Sequence, residues 1–301
     1  MEFPLCKSCE LRAFAKLNLT LEITGKRGDG YHLLRMVTQS VGLFDRVALS
    51  IDAGESHGGE IRLLCAEPAI DPMHNTALLA AEAFFRATEI PNHGLEIRIE
   101  KRIPTAAGMA GGSADAAAVL LGLNHMFGGP LSEEELSGLG LGIGADVPFC
   151  LRGSTMLVEG VGEILTPLSP IPECFFVIAK PEDGMSTAES YRLYDLLAPP
   201  PAARPDDAGM LAAIADGSLR GIAANLHNAL EAAAPPEQIA EIKRALLENG
   251  ALGASMTGSG TAVFGLFDCE DTARRACRTL AARYRQIYLT GPARRGVEIA
   301  E

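Results

Sequence analysis

The chain has 301 residues, of which 48% are hydrophobic and 21% are charged, a composition typical of a globular enzyme. Its formal net charge of −12 argues against a nucleic-acid partner, whose phosphate backbone requires clustered Lys and Arg, and no apolar run of about 18 residues is present to span a membrane. The seven cysteines are odd in number and scattered, which predicts reduced thiols in the cytoplasm.

The first half of the chain predicts strands mixed with helices. Five segments have the alternation or apolar composition of strands: 11–24, 36–51 with a break at 42–45, 60–65, 94–100 and 154–158. Three segments have helical periodicity: 75–88 with Asn75 as N-cap, about 110–127, and 132–139 with a capping box between Ser132 and Glu135.

The second half predicts helices alternating with strands. The predicted strands are 174–179, 253–257, 261–267 and 285–290, and the predicted helices are 187–197, 207–216, 222–233, 236–249 and 270–283. Prolines cluster at 167–172, so we expect two domains, 1–166 and 167–301. The mixed order of elements favours an α+β fold over a doubly wound parallel sheet.

The most informative segment is 104–117, which joins the predicted strand 94–100 to an alanine-rich helix. Its three glycines, Gly108, Gly111 and Gly112, permit positive φ and allow backbone N–H groups to approach a ligand closely. The first N–H groups of the helix that follows have no intrahelical partner and favour negative charge. We therefore interpret residues 104–114, called the phosphate loop below, as an anion-binding segment, although a packing loop has the same composition.

The common glycine-rich loops do not match this segment. No Lys follows the glycines as in a Walker A loop, and the first glycine pair of the dinucleotide-binding motif is missing. The H-R-D and D-F-G motifs of protein kinases and the G-x-S-x-G motif of hydrolases do not occur anywhere in the chain.

Three further features point to chemistry. Lys16 lies in an otherwise apolar predicted strand, and Asp146 lies among small and apolar residues, so each charge needs a partner or a task. A structural salt bridge between Lys16 and Asp146 would also compensate both charges. Residues 256–261 form a second flexible loop with hydroxyl side chains between two predicted strands.

Taken in order, these features resemble the three motifs of the GHMP kinase superfamily, and the resemblance spans nearly the whole chain. Within the superfamily the sequence is most similar to the kinases that act on a diphosphocytidyl methylerythritol. The segments that carry this resemblance are 15–19, 28–32, 110–115, 144–148, 158–164 and 257–260.

The resemblance implies a two-domain α+β architecture, with an N-terminal domain like ribosomal protein S5 domain 2 and a ferredoxin-like C-terminal domain. It implies ATP-dependent phosphorylation of the 2-hydroxyl of 4-diphosphocytidyl-2-C-methyl-D-erythritol, in the non-mevalonate route to isoprenoid precursors. Asp146 would accept the hydroxyl proton, and Lys16 would keep that carboxylate ionised and steady the attacking oxygen.

The resemblance also implies binding residues. The ATP contacts would be Pro104, Thr105, Ala106, Ala107, Gly108, Met109, Ala110, Gly111, Gly112, Ser113, Ala114, Lys101 and Asn75. The substrate contacts would be Asn18, Tyr31, His32, Thr187, Thr257, Gly258 and Ser259, with Tyr31 stacking on the base and His32 hydrogen-bonding to it. Mg²⁺ is expected as Mg-ATP, but its ligands stay unassigned because Gly111 and Gly112 stand where many relatives have serines.

Several alternatives remain open. Lys101 could be a solvated charge at a strand end, Asn75 a simple helix cap, and Asp115 a favourable partner of the helix dipole. A sister kinase for homoserine, mevalonate or a sugar would share the fold and the catalytic pair. A non-catalytic nucleotide sensor would share the phosphate loop. We expect a monomer or a weak homodimer with small-molecule ligands.

Overall fold

A computed structural model of the chain describes residues 4–51, 59–65, 75–197 and 204–300. The strands of these residues form two sheets. The first contains β1 (Ser8–Lys26), β2 (His32–Ile51), β3 (Ile61–Cys65), β4 (Leu95–Glu100), β5 (Thr155–Gly160), β6 (Ile164–Pro167), β8 (His227–Asn228) and β12 (Val297–Ile299). The second contains β7 (Phe175–Lys180), β9 (Gly253–Met256), β10 (Val263–Phe267) and β11 (Gln286–Thr290).

Helices cover both sheets. They are α1 (Thr76–Thr88), α2 (Gly111–Met126), α3 (Glu133–Ile143), α4 (Val147–Arg152), α5 (Thr187–Asp195), α6 (Asp207–Ala215), α7 (Leu219–Ala224), α8 (Pro236–Glu248) and α9 (Glu270–Ala281). Helix α2 packs on β1 and β2, whereas α8 and α9 pack on the second sheet. The predicted α+β class is confirmed.

The two longest strands form the centre of the first sheet. Strand β1 pairs antiparallel with β2 along almost its whole length, with irregularities in register on both sides of residues 16–18. The sequence predicts a half-buried β1, but residues 15–21 are all buried. The prediction was wrong because α2, α4 and the 3₁₀ helix Ala229–Ala233 all pack against this strand.

Strand β2 runs through the predicted break at 42–45 without interruption. Phe44 and Asp45 stay paired with Phe14 and Ala13 of β1. Asp45 is fully buried and accepts the backbone N–H of Ile103, which supplies the partner that a carboxylate in a strand interior needs. Long-range pairing therefore overrides the local turn composition.

Two predicted helices have different bounds. Helix α3 continues through the glycine-rich segment to Ile143, because its contact with α4 stabilises the additional turn. The contact is close enough to require glycine at Gly140, where a Cβ would lie 2.8 Å from Val147 Cγ1. The predicted helix 222–233 is instead α7, the short strand β8 and a 3₁₀ helix. The helix ends here because His227 and Asn228 pair with β1.

The second sheet has the strand order β11-β7-β10-β9 and is antiparallel throughout, with α8 before β9 and α9 between β10 and β11. This β-α-β-β-α-β order is the predicted ferredoxin-like arrangement. Strands β8 and β12 return to the first sheet, so sheet membership does not follow the boundary at 166/167, and that boundary stays a prediction. No helix in the described ranges is long and apolar enough to cross a membrane.

Helix α1 packs on α2, and aromatic side chains fill part of the contact. Phe84 of α1 is fully buried and contacts the rings of Phe85 and Phe127. Phe84→Ala is expected to lower the free energy of unfolding by about 3–5 kcal/mol, because it removes buried apolar area and leaves a cavity. Urea unfolding measures the loss. Leu79→Ala on the same helix is the control, since Leu79 is 39% exposed, and an equal effect of both variants would contradict this account of the packing.

Candidate active site

A cavity of about 950 Å³ is lined by both halves of the chain. This volume is at the upper end of the range for small-molecule sites. The predicted site residues that line it are Lys16, Tyr31, His32, Lys101, residues 104–113, Asp146, Thr187, Gly258 and Ser259. The structure therefore brings together residues that are more than 240 positions apart in the sequence.

Four predicted site residues do not line the cavity: Asn18, Asn75, Ala114 and Thr257. Asn75 is buried and its side chain accepts the N–H of Ala77, so it caps α1. Ala114 is buried within α2. Thr257 is fully buried, and its Oγ1 accepts the N–H of Asn18 at 3.0 Å. All four are buried and lie outside the lining of the cavity, and their predicted contacts with ATP or substrate stay predictions.

The charged pair of the cavity is Lys16 and Asp146. Lys16 Nζ lies 3.7 Å from Asp146 Oδ2 and donates to Asn18 Oδ1 at 2.7 Å. The amide of Asn18 donates in turn to Thr38 Oγ1, so its orientation is fixed. The lysine side chain is 4% exposed and the aspartate side chain 37% exposed. Asn18, predicted to contact the substrate, does not line the cavity and instead orients Lys16, which does. The carboxylate of Asp146 is open to a ligand.

Asp146 occupies the N-cap position of α4, where its side chain caps no backbone N–H. The carboxylate is therefore free of local hydrogen bonds that would hold it against its own helix. A negative side chain is also stable at this end of a helix. Together with the adjacent ammonium, this arrangement can accept a proton from a bound hydroxyl group and stabilise the oxygen that loses it.

The phosphate loop presents backbone donors to the cavity. The N-cap residue of α2 is Ala110, whose side chain cannot accept a hydrogen bond. The first N–H groups of the helix are therefore not capped by that side chain. Gly108 has φ of 72°, and Ala106 and Ala110 have φ of 49° and 58°. Positive φ at alanine is unfavourable and concentrates at ligand-binding segments. The geometry is that of an anion-binding site at a helix N-terminus.

The phosphate loop touches the loop formed by residues 257–260, called the C-terminal glycine loop below. A Cβ on Gly108 would lie 2.1 Å from the carbonyl oxygen of Thr257, and a Cβ on Gly258 would lie 2.5 Å from the carbonyl oxygen of Gly108. Glycine is required at both positions because the two backbones approach so closely. The contact joins the anion-binding segment of the first half to a loop of the second half.

Lys101, Asp45 and Asp115 form a buried cluster behind the phosphate loop. Lys101 Nζ lies 2.5 Å from Asp45 Oδ2 and 2.6 Å from Asp115 Oδ2. Lys101 is therefore not the solvated strand-end charge of the alternative prediction, and its ammonium is already engaged by two carboxylates. Asp115 accepts a hydrogen bond from this lysine, so it is more than the partner of the helix dipole that the alternative prediction gave.

The charges of this cluster do not balance, since two carboxylates face one ammonium. Burial lowers the pKa of Lys101, but the attraction of Asp115 and Asp45 outweighs it and leaves the pKa raised. Burial raises the pKa of Asp115 to about 7, against the attraction of Lys101. Asp115 Oδ1 is buried without a hydrogen-bond partner. A proton on Asp115 would remove the excess negative charge.

An aromatic region lines another part of the cavity. The ring of His32 stacks on Tyr191 at a centroid distance of 4.7 Å, and its Nε2 lies 2.8 Å from Asp195 Oδ1. The side chains of Lys26 and His32 bond to Asp195 and lower its pKa. Tyr31 is 63% exposed beside them. Sequence reasoning missed Tyr191 and Asp195, because α5 carries no motif that marks them.

The hydroxyls of the second half also face this cavity. Thr187 Oγ1 and Ser259 Oγ lie 3.2 Å apart and form a hydrogen bond between the start of α5 and the C-terminal glycine loop. Within the described residues, no group of three or more His, Cys, Asp or Glu side chains forms a metal-binding cluster. The polar groups of the cavity thus include backbone N–H groups, hydroxyls, several carboxylates and several cations, among which Asp146 and Lys16 form the pair beside the phosphate loop.

Comparisons with known proteins agree with this geometry. Residues 75–154 match the family described as GHMP kinases N terminal domain, and residues 210–286 match GHMP kinases C terminal. The chain is 40% identical over 285 residues to 4-diphosphocytidyl-2-C-methyl-D-erythritol kinase of Alkaliphilus metalliredigens, covering 94% of this chain and 96% of that protein. It is 41% identical over 290 residues to the kinase of the same name from Desulfitobacterium hafniense, covering 95% and 97%.

Solved structures give the same result. A crystal structure of 4-(cytidine 5'-diphospho)-2C-methyl-D-erythritol kinase superposes with a TM-score of 0.78 at 33% identity, covering 94% of this chain and 99% of that chain. Homoserine kinase from Cytophaga hutchinsonii superposes with a TM-score of 0.76 at 18% identity, covering 98% of each chain, which shows the fold alone.

The buried cluster predicts a pH dependence of stability. Between pH about 4, the pKa of an unfolded aspartate, and about 7, the folded protein holds a proton on Asp115 that the unfolded chain has released. The stabilisation from this proton is complete below pH about 4 and is lost as the pH rises to about 7. Asp115→Asn is therefore expected to gain free energy of unfolding relative to the wild type as the pH rises through this window.

Urea unfolding at several pH values across the window measures this difference. The matched control is Asp216→Asn, because Asp216 is exposed at the end of α6 and lies outside the cluster. The difference in free energy of unfolding between Asp216→Asn and the wild type should stay constant across this pH window. A constant difference for Asp115→Asn as well would contradict the presence of the buried proton.

Proposed function

Because the chain belongs to the GHMP kinases, and within them to the 4-diphosphocytidyl-2-C-methyl-D-erythritol kinases, we propose that its cavity binds ATP and this substrate together and that Asp146 and Lys16 carry out phosphoryl transfer between them. The enzyme phosphorylates the 2-hydroxyl of 4-diphosphocytidyl-2-C-methyl-D-erythritol, a step in the non-mevalonate route to isoprenoid precursors. The observation that carries the proposal is the proximity of the Lys16–Asp146 pair to the phosphate loop in one cavity.

The protein itself does little covalent chemistry during this phosphoryl transfer. The 2-hydroxyl oxygen attacks the γ-phosphorus of ATP, the bond from that phosphorus to the ADP oxygen breaks, and the hydroxyl proton passes to the carboxylate of Asp146. Lys16, oriented by Asn18, offers its ammonium to the attacking oxygen. The transition state is loose, so positioning and charge compensation provide most of the rate acceleration.

ATP would bind with its phosphates along the phosphate loop. The N–H groups at the start of α2 and the hydroxyl of Ser113 are the donors that line the cavity there. Mg²⁺ would arrive as Mg-ATP and neutralise the β- and γ-phosphate oxygens. The hydroxyl oxygen of Ser113, which lines the cavity, suits this ion, because Mg²⁺ prefers oxygen ligands and takes only one or two from the protein.

The aromatic region would bind the cytosine of the substrate. Tyr31 and Tyr191 offer ring faces, and His32, held by Asp195, offers a polar ring edge. The hydroxyl groups of Thr187 and Ser259 would donate hydrogen bonds to the substrate, and Gly258 would allow the substrate to approach the backbone closely. This region favours a nucleobase over homoserine or mevalonate, which have no aromatic group.

Two further features belong to the proposal. A monomer or a weak homodimer would suffice as the active unit, because one chain supplies all the lining residues named here. We place the enzyme in the cytoplasm because its phosphoryl donor, ATP, is available there.

The proposal predicts turnover with one substrate and its loss on mutation. ADP release should occur with 4-diphosphocytidyl-2-C-methyl-D-erythritol, and not with homoserine or mevalonate. Asp146→Asn is expected to lower kcat by about 10²–10⁴-fold, the usual contribution of a general base. Lys16→Met should lower kcat by at least about 10²-fold, the usual effect of losing one group that stabilises the charge at a reacting oxygen, while both variants still bind ATP.

Matched controls are Asp216→Asn and Lys7→Met, which make the same changes at exposed positions. Both should leave kcat unchanged. Turnover of homoserine or mevalonate instead would contradict the proposed substrate but would leave the kinase activity of the protein established. Full ATP binding without turnover of any substrate by the wild type would favour a nucleotide sensor.

A further inference from the structure

The C-terminal glycine loop has few contacts of its own to fix its shape. Gly260 N–H donates to the carbonyl oxygen of Thr257 at 3.0 Å within the loop, and Thr257 N–H donates to the carbonyl oxygen of Ala262, just outside the loop, at 3.0 Å. Gly258 and Gly260 have positive φ, a region that glycine enters as readily as negative φ. A loop of this composition needs an external partner to hold one conformation at the cavity wall.

Besides the hydroxyl contact with the start of α5, one buried side chain provides such a partner. The amide nitrogen of Asn228, Nδ2, donates to the carbonyl oxygens of Met256 and Gly258, each at 2.9 Å. Its Oδ1 accepts the N–H of Leu230 at 2.9 Å. Asn228 is 5% exposed, so these bonds form away from water, where an unpaired polar group is costly. Asparagine suits this position because its short side chain offers two donors and one acceptor.

The position of Asn228 ties the loop to the strand that carries Lys16. Asn228 lies in β8, which runs parallel to β1 with Leu21 opposite Asn228. A second bond to β1 holds the loop from the other side, because the N–H of Asn18 donates to Thr257 Oγ1. The loop is thus fixed relative to Lys16 at two points.

The bond to Gly258 also sets the direction of the next N–H. The peptide between Gly258 and Ser259 is trans, so its carbonyl and its N–H point to opposite sides. With the carbonyl directed at Asn228, the N–H of Ser259 is directed away from it. Gly258 and Ser259 both line the cavity. An N–H held in this way is a donor suited to a phosphate oxygen.

We propose that Asn228 is a positioning residue for phosphoryl transfer, which acts by directing the N–H of Ser259 at the diphosphate of the substrate. This inference rests on the proposed function for the identity of the ligand. Asn228 touches neither substrate nor ATP, because it does not line the cavity.

The test replaces the amide by a carboxylate of the same shape. Asn228→Asp removes both donors and sets an anion against two carbonyl oxygens. It is expected to lower kcat/KM for the diphosphocytidyl substrate by about 10–10²-fold, mainly through a higher KM, because the lost hydrogen bond to the charged diphosphate is made in the ground state and the transition state alike. The Kd for ATP, measured without substrate, should change by less than about threefold. Asn228→Ala should act in the same direction and provides the test where the aspartate variant does not fold.

The matched control is Asn225→Asp. Asn225 Nδ2 donates to the carbonyl oxygen of Gly221 at the end of α7, and Asn225 does not line the cavity. The control should lower Tm and leave kcat/KM unchanged. If Asn228→Asp and Asn228→Ala also lower Tm and keep the kcat/KM of the wild type, the role of Asn228 is structural and the inference fails.

A second readout separates this inference from the proposed function. In ¹⁵N-labelled wild-type protein, the Ser259 amide resonance should shift on addition of cytidine 5'-diphosphate, and in Asn228→Asp this shift should be lost. The readout requires no turnover. Absence of turnover with the shift present would overturn only the proposed reaction. No shift in the wild type, or an equal shift in the variant, would overturn the positioning role.

Discussion

The whole site depends on one charge buried in the middle of β1. The side chain of Lys16 is 4% exposed, and an isolated ammonium at such a depth would be strongly unfavourable. Asn18 Oδ1 satisfies it with a short hydrogen bond, and Asp146 compensates its charge from 3.7 Å. Because Asn18 supplies the short contact, Asp146 remains open to the cavity with its carboxylate available.

The same stretch of β1 also holds the two glycine-containing loops. On the edge of β1 opposite β2, β12 pairs with residues 11–13 and β8 with residues 20–21, which leaves residues 16–18 between them. There the N–H of Lys16 donates to the carbonyl oxygen of Met109, and the N–H of Asn18 donates to Thr257 Oγ1. Buried backbone donors must find partners, so the gap in strand pairing fixes both loops beside the lysine.

This geometry explains which parts of the site were predictable from sequence. Lys16, the phosphate loop and Asp146 stand out because a charge in an apolar strand or a cluster of glycines is unusual in its local context. Asp45 and Asn228 carry no such local signal. Their importance comes from contacts with Ile103 and Gly258, which only the folded chain creates. The predicted break in β2 and the predicted helix 222–233 were wrong for the same reason.

The fold also explains how a chain of net charge −12 can bind two phosphorylated ligands. The lining cations Lys26, Lys101 and Arg192 are paired with carboxylates, so their charges are largely compensated. What the phosphate loop offers instead is a set of backbone donors at the start of α2, held by contacts that only glycine allows at Gly108. Backbone donors of this kind recognise the shape and charge of a phosphate together and add no net charge. Selectivity for a small anionic ligand is therefore compatible with a surface that repels the long polyanions of nucleic acids.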